Sequence, residues 1–156
     1  MCALSGAANG LLAAEDPNLL SATVLIDFES DATLAMHMPT DVAIGPDETV
    51  YVADGVSDRI VTFDTTGRAT GEIRKVGEYP LSRPVGLDVD RQGRLWIADT
   101  GNSRIVFREA DGNGGRAIAL PAGISVQACD PTDIAIFARR HIGLGCGQRW
   151  SSAASD

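Results

Sequence analysis

Short apolar runs alternate with polar, turn-forming stretches along most of the chain, and each apolar run is too short for a helix. Two of these runs, 50–52 and 95–97, combine β-branched and aromatic side chains, which favour extended strands. The stretches between the runs are rich in Gly, Asp, Asn and Pro, which is typical of tight reversals. The pattern predicts an all-β chain of short antiparallel strands.

The runs recur at a fixed interval. One unit begins at Pro39 and the next at Pro84, 45 residues later, and a third begins at Pro131, 47 residues after Pro84. Three further pairs keep the spacing of 45 residues: Asp54 and Asp99, Arg59 and Arg104, and Gly67 and Gly112. Four short antiparallel strands every forty-odd residues is the period of a β-propeller blade, so each unit is predicted to be a blade.

Each unit is predicted to hold four strands. The outer, fourth strand is expected over 69–75 in the first unit and over 116–120 in the second, and an equivalent outer strand at 24–28 precedes the first unit. One blade cannot bury both of its broad faces, so the blades are expected to stack side by side. The predicted fold is therefore an incomplete β-propeller of two to three four-stranded antiparallel blades.

The repeat also divides the chain into parts. The predicted parts are an acidic N-terminal segment at 1–37 with a short helix and an outer strand, blades at 38–83 and 84–130, a partial blade at 131–146, and a disordered tail at 147–156. The N-terminal segment carries five acidic and no basic side chains, which is typical of a solvated flank.

The order of motifs within each unit resembles the NHL repeat. The stretch 96–106, with the letters WIADTGNSRIV, follows that pattern in the second unit, and 51–61 follows it in the first. The likeness covers residues 38–146. The resemblance implies a propeller, commonly of six blades. It bears first on the architecture of the chain and not on a particular activity.

The third unit departs from the pattern. Counting from Pro131, Cys146 occupies the aspartate position, Gly143 the aromatic position and Ser151 the arginine position. Two interpretations stay open. The chain is a fragment of a longer propeller or carries a reading frame that slipped just after Ile142, or it is a small protein that closes by self-association through exposed blade faces.

Polar residues at the turn between the second and third strands are the candidate functional residues. The candidate rim residues are Asp54, Arg59, Asp99, Gly101, Asn102 and Arg104. An Asp-x4-Arg pair in each of the first two units would present charged groups at a propeller rim, where ligands dock. In the structural interpretation, Asp caps the amides of its own turn and Arg pairs with it or with a neighbouring blade. Gly101 and Asn102 fit a turn that needs positive φ. A side chain that recurs in every unit is expected to serve the unit, so the structural interpretation is favoured.

Tyr51 and Trp96 are likewise expected to pack between blades rather than line a recognition surface.

No catalytic set emerges from the sequence. The two histidines, His37 and His141, have no carboxylate at metal-ligand spacing, and Ser5 and Ser21 have no base at a recognisable spacing. The three cysteines are Cys2, Cys129 and Cys146, and they form no Cys-x-x-Cys pair. We therefore predict no catalytic residue, no metal site and no cofactor.

Charge bears on the partner. The chain holds 13 basic and 21 acidic side chains for a net charge of −8, which disfavours nucleic acid. No membrane span is predicted, and the N-terminus lacks the basic and apolar regions of a secretory signal. Cys2 followed by small residues is also the pattern that begins a mature lipoprotein, so the compartment stays open.

The sequence predicts a non-catalytic binding scaffold for a protein, peptide or carbohydrate partner, with self-association through exposed blade faces as a further expectation. The alternative is a piece of a metal-dependent propeller enzyme of the lactonase or lyase kind, whose ligands would come from several blades around the central channel.

Overall fold

The structure, a computed structural model of the chain, describes residues 34–118, 130–137, 141–146 and 149–154. The predicted helix within 1–22, the predicted strand at 24–28, and Ser5, Ser21, Cys2 and Cys129 lie outside the described residues. Within the described ranges, strands and two 3₁₀ turns make up the regular structure, so the all-β prediction is confirmed.

The strands form three antiparallel sheets of blade type and one small hairpin. The first blade contains β1 Pro39–Ile44, β2 Val50–Asp54, β3 Arg59–Phe63 and β4 Ala69–Ile73. The hairpin contains β5 Lys75–Val76 and β6 Tyr79–Pro80. The second blade contains β7 Pro84–Val89, β8 Leu95–Asp99, β9 Arg104–Arg108 and β10 Gly115–Ile118. The third contains β11 Pro131–Phe137, β12 His141–Cys146 and β13 Arg149–Ala154. Neighbours along the chain are neighbours in each sheet, as the four-strand prediction required for the first two units.

Strand register confirms the repeat. The proline that opens each inner strand pairs with the last residue of the second strand: Pro39 with Asp54, Pro84 with Asp99, and Pro131 with Cys146. The register shifts directly after each of these prolines. The three units are therefore structurally equivalent position by position over their first two strands.

The third blade differs from the sequence expectation after Cys146. A strand occupies 149–154, where a disordered tail was predicted, and it places Arg149 opposite Cys146 while Ser151 lies opposite Leu144. Arg149, not Ser151, thus takes the arginine position. The tail was predicted to be disordered because the residues of the repeat motif are missing there. Antiparallel pairing does not need those side chains, since it uses backbone N–H and C=O groups that every non-proline residue carries.

The apolar core lies between blades. Between the first and second blades, the buried cluster consists of Ala43, Tyr51, Ala53, Ile60, Val76, Leu81, Leu87, Leu95, Ile97 and Val106. Between the second and third, it consists of Trp96, Ala98, Ile105 and Ile134, with Phe107, Ile118 and Ile136 packed against them. The predicted stacking of blades, and the packing role of Tyr51 and Trp96, are confirmed by these clusters.

The inner strands β1, β7 and β11 are tied directly to one another. Asp41 Oδ2 accepts a hydrogen bond from the Leu87 amide at 2.7 Å, and Thr40 Oγ1 donates to the Val85 carbonyl at 2.9 Å. Asp88 Oδ2 accepts in the same way from the Ile136 amide. A carboxylate thereby joins β1 to β7 and another joins β7 to β11, so the inner strands of the three blades follow one another in chain order.

The backbone of β7 lies close to that of β11 at Gly86, and this contact provides a first testable prediction. A Cβ at Gly86 would lie 2.7 Å from Asp133 Cα and 3.1 Å from the Thr132 carbonyl oxygen, both backbone atoms that cannot turn aside. Gly86→Ala is therefore expected to lower the free energy of unfolding by about 1–3 kcal/mol in urea denaturation. Gly71→Ala is the matched control, because the nearest atom to its Cβ is Thr62 Oγ1 at 3.5 Å. Equal stability of the two variants would contradict the packing of β7 on β11.

Candidate functional site

The rim of the molecule, at the end where the second strand of a blade passes into the third, is built twice in the same way. A 3₁₀ turn occupies Gly55–Ser57 in the first blade and Thr100–Asn102 in the second. Each turn ends in a residue with left-handed backbone, Asp58 at φ 54° and Ser103 at φ 48°. The amides of Asp58 and Ser103 donate back to the first residue of their turns at 3.3 Å and 3.0 Å.

The prediction of positive φ at Gly101 and Asn102 was wrong. These residues belong to a 3₁₀ turn, and the positive φ falls at the residue after it, Ser103. Gly101 is needed for another reason. Its Cβ would lie 2.7 Å from the Ser82 carbonyl oxygen, to which the Gly101 amide donates at 2.9 Å. Asn102 donates through Nδ2 to Asp99 Oδ2 at 2.8 Å and to the Pro80 carbonyl at 3.0 Å.

In the first blade, Asp54 and Arg59 form a buried ion pair, with Arg59 Nε 3.2 Å from Asp54 Oδ2. The other carboxylate oxygen of Asp54 accepts from the amides of His37 and Met38, both at 3.2 Å. Arg59 also donates to the carbonyl of Ala35 at 2.7 Å. The pair therefore holds residues 34–38, which lead into the first blade. We call these residues the lead-in segment of the first blade, and residues 79–83 the lead-in segment of the second.

The second blade repeats this arrangement at a distance of 45 residues. Arg104 Nε lies 2.6 Å from Asp99 Oδ2, and Asp99 Oδ1 accepts from the Ser82 amide at 2.7 Å. Arg104 also donates to the Pro80 carbonyl at 2.6 Å, and its guanidinium lies 5.2 Å from the centre of the Tyr79 ring. We call each Asp–Arg pair with its bonds to the lead-in segment a clamp.

The clamps correct one part of the structural interpretation. Asp pairs with Arg as predicted, but neither aspartate side chain caps its 3₁₀ turn; instead both bind the backbone that enters the blade. Sequence spacing revealed the pair because both partners lie on one hairpin, whereas the lead-in segment is 16–17 residues from Asp54 and its path depends on the whole blade.

Bonds from the C-terminal residue of each turn tie neighbouring blades together at the rim. Asp58 Oδ1 accepts from the Arg83 amide at 2.7 Å, and Ser103 Oγ donates to Asp130 Oδ1 at 2.9 Å. The rim is thus braced both within a blade and between blades.

A second testable prediction follows from the buried carboxylates. Burial alone would raise the pKa of Asp54, but hydrogen bonds from Ser57, from the amides of Met38 and His37, and from Arg59 outweigh it and lower that pKa. At the opposite end of the second blade, burial is likewise outweighed at Asp90 by bonds from Trp96 and Arg94, so the pKa of Asp90 is also lowered. A carboxyl with a lowered folded-state pKa stabilises the fold above its unfolded pKa, about 3.9, and this contribution is lost as pH falls through the folded value.

Urea unfolding between about pH 5 and pH 2 should therefore show stability falling with decreasing pH, and Asp54→Asn should flatten part of that slope. Glu78→Gln, which removes a carboxylate from an exposed turn, is the matched control. A slope that Asp54→Asn does not alter would contradict the role given to Asp54.

One polar contact at the rim was not found from the sequence. His37 Nδ1 lies 3.2 Å from Ser57 Oγ, and both residues belong to segments joined by the first clamp. His37 has no motif of its own, and only the folded lead-in segment brings it to Ser57. Two exposed apolar side chains, Met38 and Val56, lie in the same two segments.

No group of three or more His, Cys, Asp or Glu side chains that could hold a metal occurs within 34–118 and the described parts of the third blade. His141 and Cys146 both lie in β12, at opposite ends of the strand. In the same ranges no helix has the length and apolar character needed to cross a bilayer.

Comparison with solved structures places this architecture among propellers. The chain aligns with a streptogramin B lyase at a TM-score of 0.58 and 21% identity, over 75% of this chain and 37% of that one. It aligns with virginiamycin B lyase from Staphylococcus aureus at 0.54 and 18%, over 69% and 34%, and with the calcium-binding protein regucalcin from Agrobacterium tumefaciens at 0.52 and 20%, over 70% and 38%. Such identities carry the fold alone. The fold is that of a β-propeller, of which this chain supplies a part.

The family model of the NHL repeat matches residues 81–106, which run from the lead-in segment of the second blade through the Asp99–Arg104 clamp into β9. The second blade therefore contains an NHL repeat within a β-propeller fold. A curated relative, "Protein SUPPRESSOR OF QUENCHING 1, chloroplastic" from Arabidopsis thaliana, is 34% identical over 49% of this chain and 8% of its own length. The chain thus spans less than a tenth of that relative and 34–38% of the three solved structures.

Proposed function

We propose that this chain is a non-catalytic binding scaffold whose rim receives a protein, peptide or carbohydrate partner. The observation that carries the proposal is the exposure of Met38 and Val56 on segments that the first clamp holds in place. A rigid surface loses little conformational entropy on binding, and exposed apolar side chains with polar neighbours suit a recognition surface.

The charged residues of the rim support binding over catalysis. Asp54 and Asp99 are fully buried, and their oxygens accept from lead-in amides and from arginines. A general acid or base needs a proton or lone pair that can reach the substrate. These carboxylates are occupied in holding the backbone, which favours a structural role for all four charged clamp residues.

Selection of ligands would test the proposal. The chain is screened against a phage-displayed random peptide library and a panel of immobilised oligosaccharides, and the dissociation constant of any selected ligand is measured for Met38→Glu with Val56→Glu. We expect these substitutions to weaken binding by about tenfold or more, because a carboxylate would be desolvated in an apolar contact. Thr65→Glu, in the exposed β3–β4 turn at the opposite end, is the control. Absence of any selected ligand, or one that binds the double variant equally well, would contradict rim binding.

The alternative function, a part of a metal-dependent lactonase or lyase, is favoured by one observation: two of the similar solved structures are named as lyases. Titration calorimetry with Ca²⁺ and with Zn²⁺, together with a hydrolysis assay on a panel of lactones, distinguishes the two. Tight metal binding with turnover would establish the enzyme. Neither signal, with ligand selected at the rim, would support the scaffold.

A further inference from the structure

An Asn-Gly pair, Asn113-Gly114, lies in the turn that joins β9 to β10 in the second blade. The Asn113 side chain is exposed. Among the residues that the structure describes, none bonds to that side chain, and none accepts a hydrogen bond from the Gly114 amide. A Cβ at Gly114 would also have no atom within 4 Å, its chain neighbours aside. The Asn113 side chain and the Gly114 nitrogen are therefore free to approach each other.

These two groups react with each other when an asparagine deamidates. The Gly114 nitrogen attacks Asn113 Cγ, so that an N–Cγ bond forms, the Cγ–Nδ2 bond breaks and ammonia leaves with the proton of the Gly114 amide. Water then opens the resulting succinimide ring. Opening at the main-chain carbonyl gives isoaspartate, and opening at the former side-chain carbonyl gives aspartate. Glycine favours the attack because it has no Cβ to obstruct it.

The neighbouring pair Asp111-Gly112 could form the same ring, but its groups are engaged. The Gly112 amide donates to the Glu109 carbonyl at 2.9 Å. Asp111 Oδ1 accepts from the Asn113 amide at 2.8 Å. A Cβ at Gly112 would also meet the Arg108 guanidinium. The turn thus holds one of its two candidate pairs in place and leaves the other open.

Asn102, in the second clamp, provides the opposite case. Its Nδ2 donates to Asp99 Oδ2 at 2.8 Å and to the Pro80 carbonyl at 3.0 Å. The amide of Ser103, which carries the nitrogen that would attack, donates to the Thr100 carbonyl at 3.0 Å. Ring closure at this asparagine requires these bonds to open first, and local opening of a folded structure costs free energy.

We propose that Asn113 is a modification site, at which the folded chain loses ammonia without an enzyme and gains isoaspartate or aspartate. The only other reactant is water. The product adds a negative charge beside Asp111 and, as isoaspartate, one further main-chain carbon ahead of β10. The β9–β10 turn lies at the opposite end of the blade from the rim, so this site is separate from the binding surface proposed there.

The test is the rate of deamidation at each asparagine, measured by peptide mass spectrometry on the full chain incubated at neutral pH. Trypsin releases Asn113 in the peptide 109–116 and Asn102 in the peptide 95–104, apart from the other Asn-Gly pair, Asn9-Gly10, which lies outside the described residues. Deamidation raises the mass of a peptide by about 1 Da. Digestion in oxygen-18 water marks any product formed during handling, because that product gains the heavier oxygen.

Each rate is compared with the rate of the same residue in chain unfolded by guanidinium chloride, which removes the intrinsic difference between Asn-Gly and Asn-Ser. We expect folding to slow Asn113 by no more than about threefold and Asn102 by about tenfold or more. Folding that protects Asn113 as strongly as Asn102 would overturn the proposal.

Ser103→Gly supplies the matched variant, because it gives Asn102 the same following residue as Asn113. Ser103 has φ 48°, a backbone conformation that glycine accepts. Once circular dichroism has shown the variant to be folded, its Asn102 should deamidate at least about tenfold more slowly than its Asn113. Asn113→Gln, whose longer side chain closes the ring poorly, should abolish the mass gain in the peptide 109–116. Equal rates at the two asparagines of the folded Ser103→Gly chain would contradict the selection of Asn113 by the structure.

Discussion

Replacing Asp54 with alanine is expected to lower the free energy of unfolding by about 3 kcal/mol, among the largest effects of any single substitution in the described residues. Asp54 is fully buried and Arg59 is 4% exposed, so alanine would leave the Arg59 Nε without its buried carboxylate partner and two lead-in amides without an acceptor. Removing one partner of a buried pair typically costs about 3–5 kcal/mol. Arg59 keeps its bonds to Glu72 and to the Ala35 carbonyl, which puts the expected loss at the lower end.

Urea unfolding followed by circular dichroism measures this loss, and the second clamp supplies the matched variant. Asp99→Ala should cost less, because the Arg104 side chain is 25% exposed and water can solvate it. Arg59→Met combined with Asp54→Ala should be more stable than Asp54→Ala alone, since it removes a buried charge whose remaining carboxylate partner, Glu72, is partly exposed. Were Asp54→Ala to lie within about 0.5 kcal/mol of wild type, as a surface substitution does, the clamp would not hold the lead-in segment.

Trp96→Ala is expected to cost about 3–5 kcal/mol. Trp96 is buried between the second and third blades, its ring centre lies 5.0 Å from that of Phe107, and its Nε1 donates to Asp90 at 2.9 Å. The Arg94 guanidinium stands over the same ring at 5.4 Å and is held by Asp90 at 2.6 Å. Alanine would open a cavity between the second and third blades and would also remove the Trp96 N–H that donates to Asp90.

The conservative variant Trp96→Phe divides these contributions. Phenylalanine keeps much of the buried ring but lacks the indole N–H that donates to Asp90. The substitution should therefore lower the free energy of unfolding by about 1–3 kcal/mol, because the buried Asp90 carboxylate loses one of its donors. Differential scanning calorimetry should show both variants unfolding in one transition if the blades are cooperative. Near-wild-type stability of Trp96→Ala would mean that the second and third blades do not pack on each other.

The repeat made much of the fold predictable. A spacing of 45 residues between Pro39 and Pro84 anticipated the shared register of their strands, and the Asp-x4-Arg spacing anticipated an ion pair across one hairpin. Local spacing succeeds here because both partners of each pair lie on neighbouring strands that a short turn joins.

Contacts that depend on how separate segments meet could not be predicted in this way. Asp41 and Asp88 both bridge inner strands, yet they occupy different positions in their units, so alignment of the repeats does not relate them. The contact of His37 with Ser57 depends on the path of the lead-in segment. The strand at 149–154 forms although it lacks the residue types of the repeat, because antiparallel pairing uses backbone groups and not those side chains.

The central claim is that successive blades pack about one axis through their inner strands, and the Leu87 amide reports on it most directly. That amide lies on the edge of its own sheet and donates to Asp41 in the preceding blade at 2.7 Å. Hydrogen exchange measured by NMR should show Leu87 protected in the wild type and exchanging much faster in Asp41→Ala, while Val106, inside the second blade, changes little. A Leu87 amide that exchanges at an unprotected rate in the wild type, or that does not respond to Asp41→Ala, would contradict the stacking of the blades.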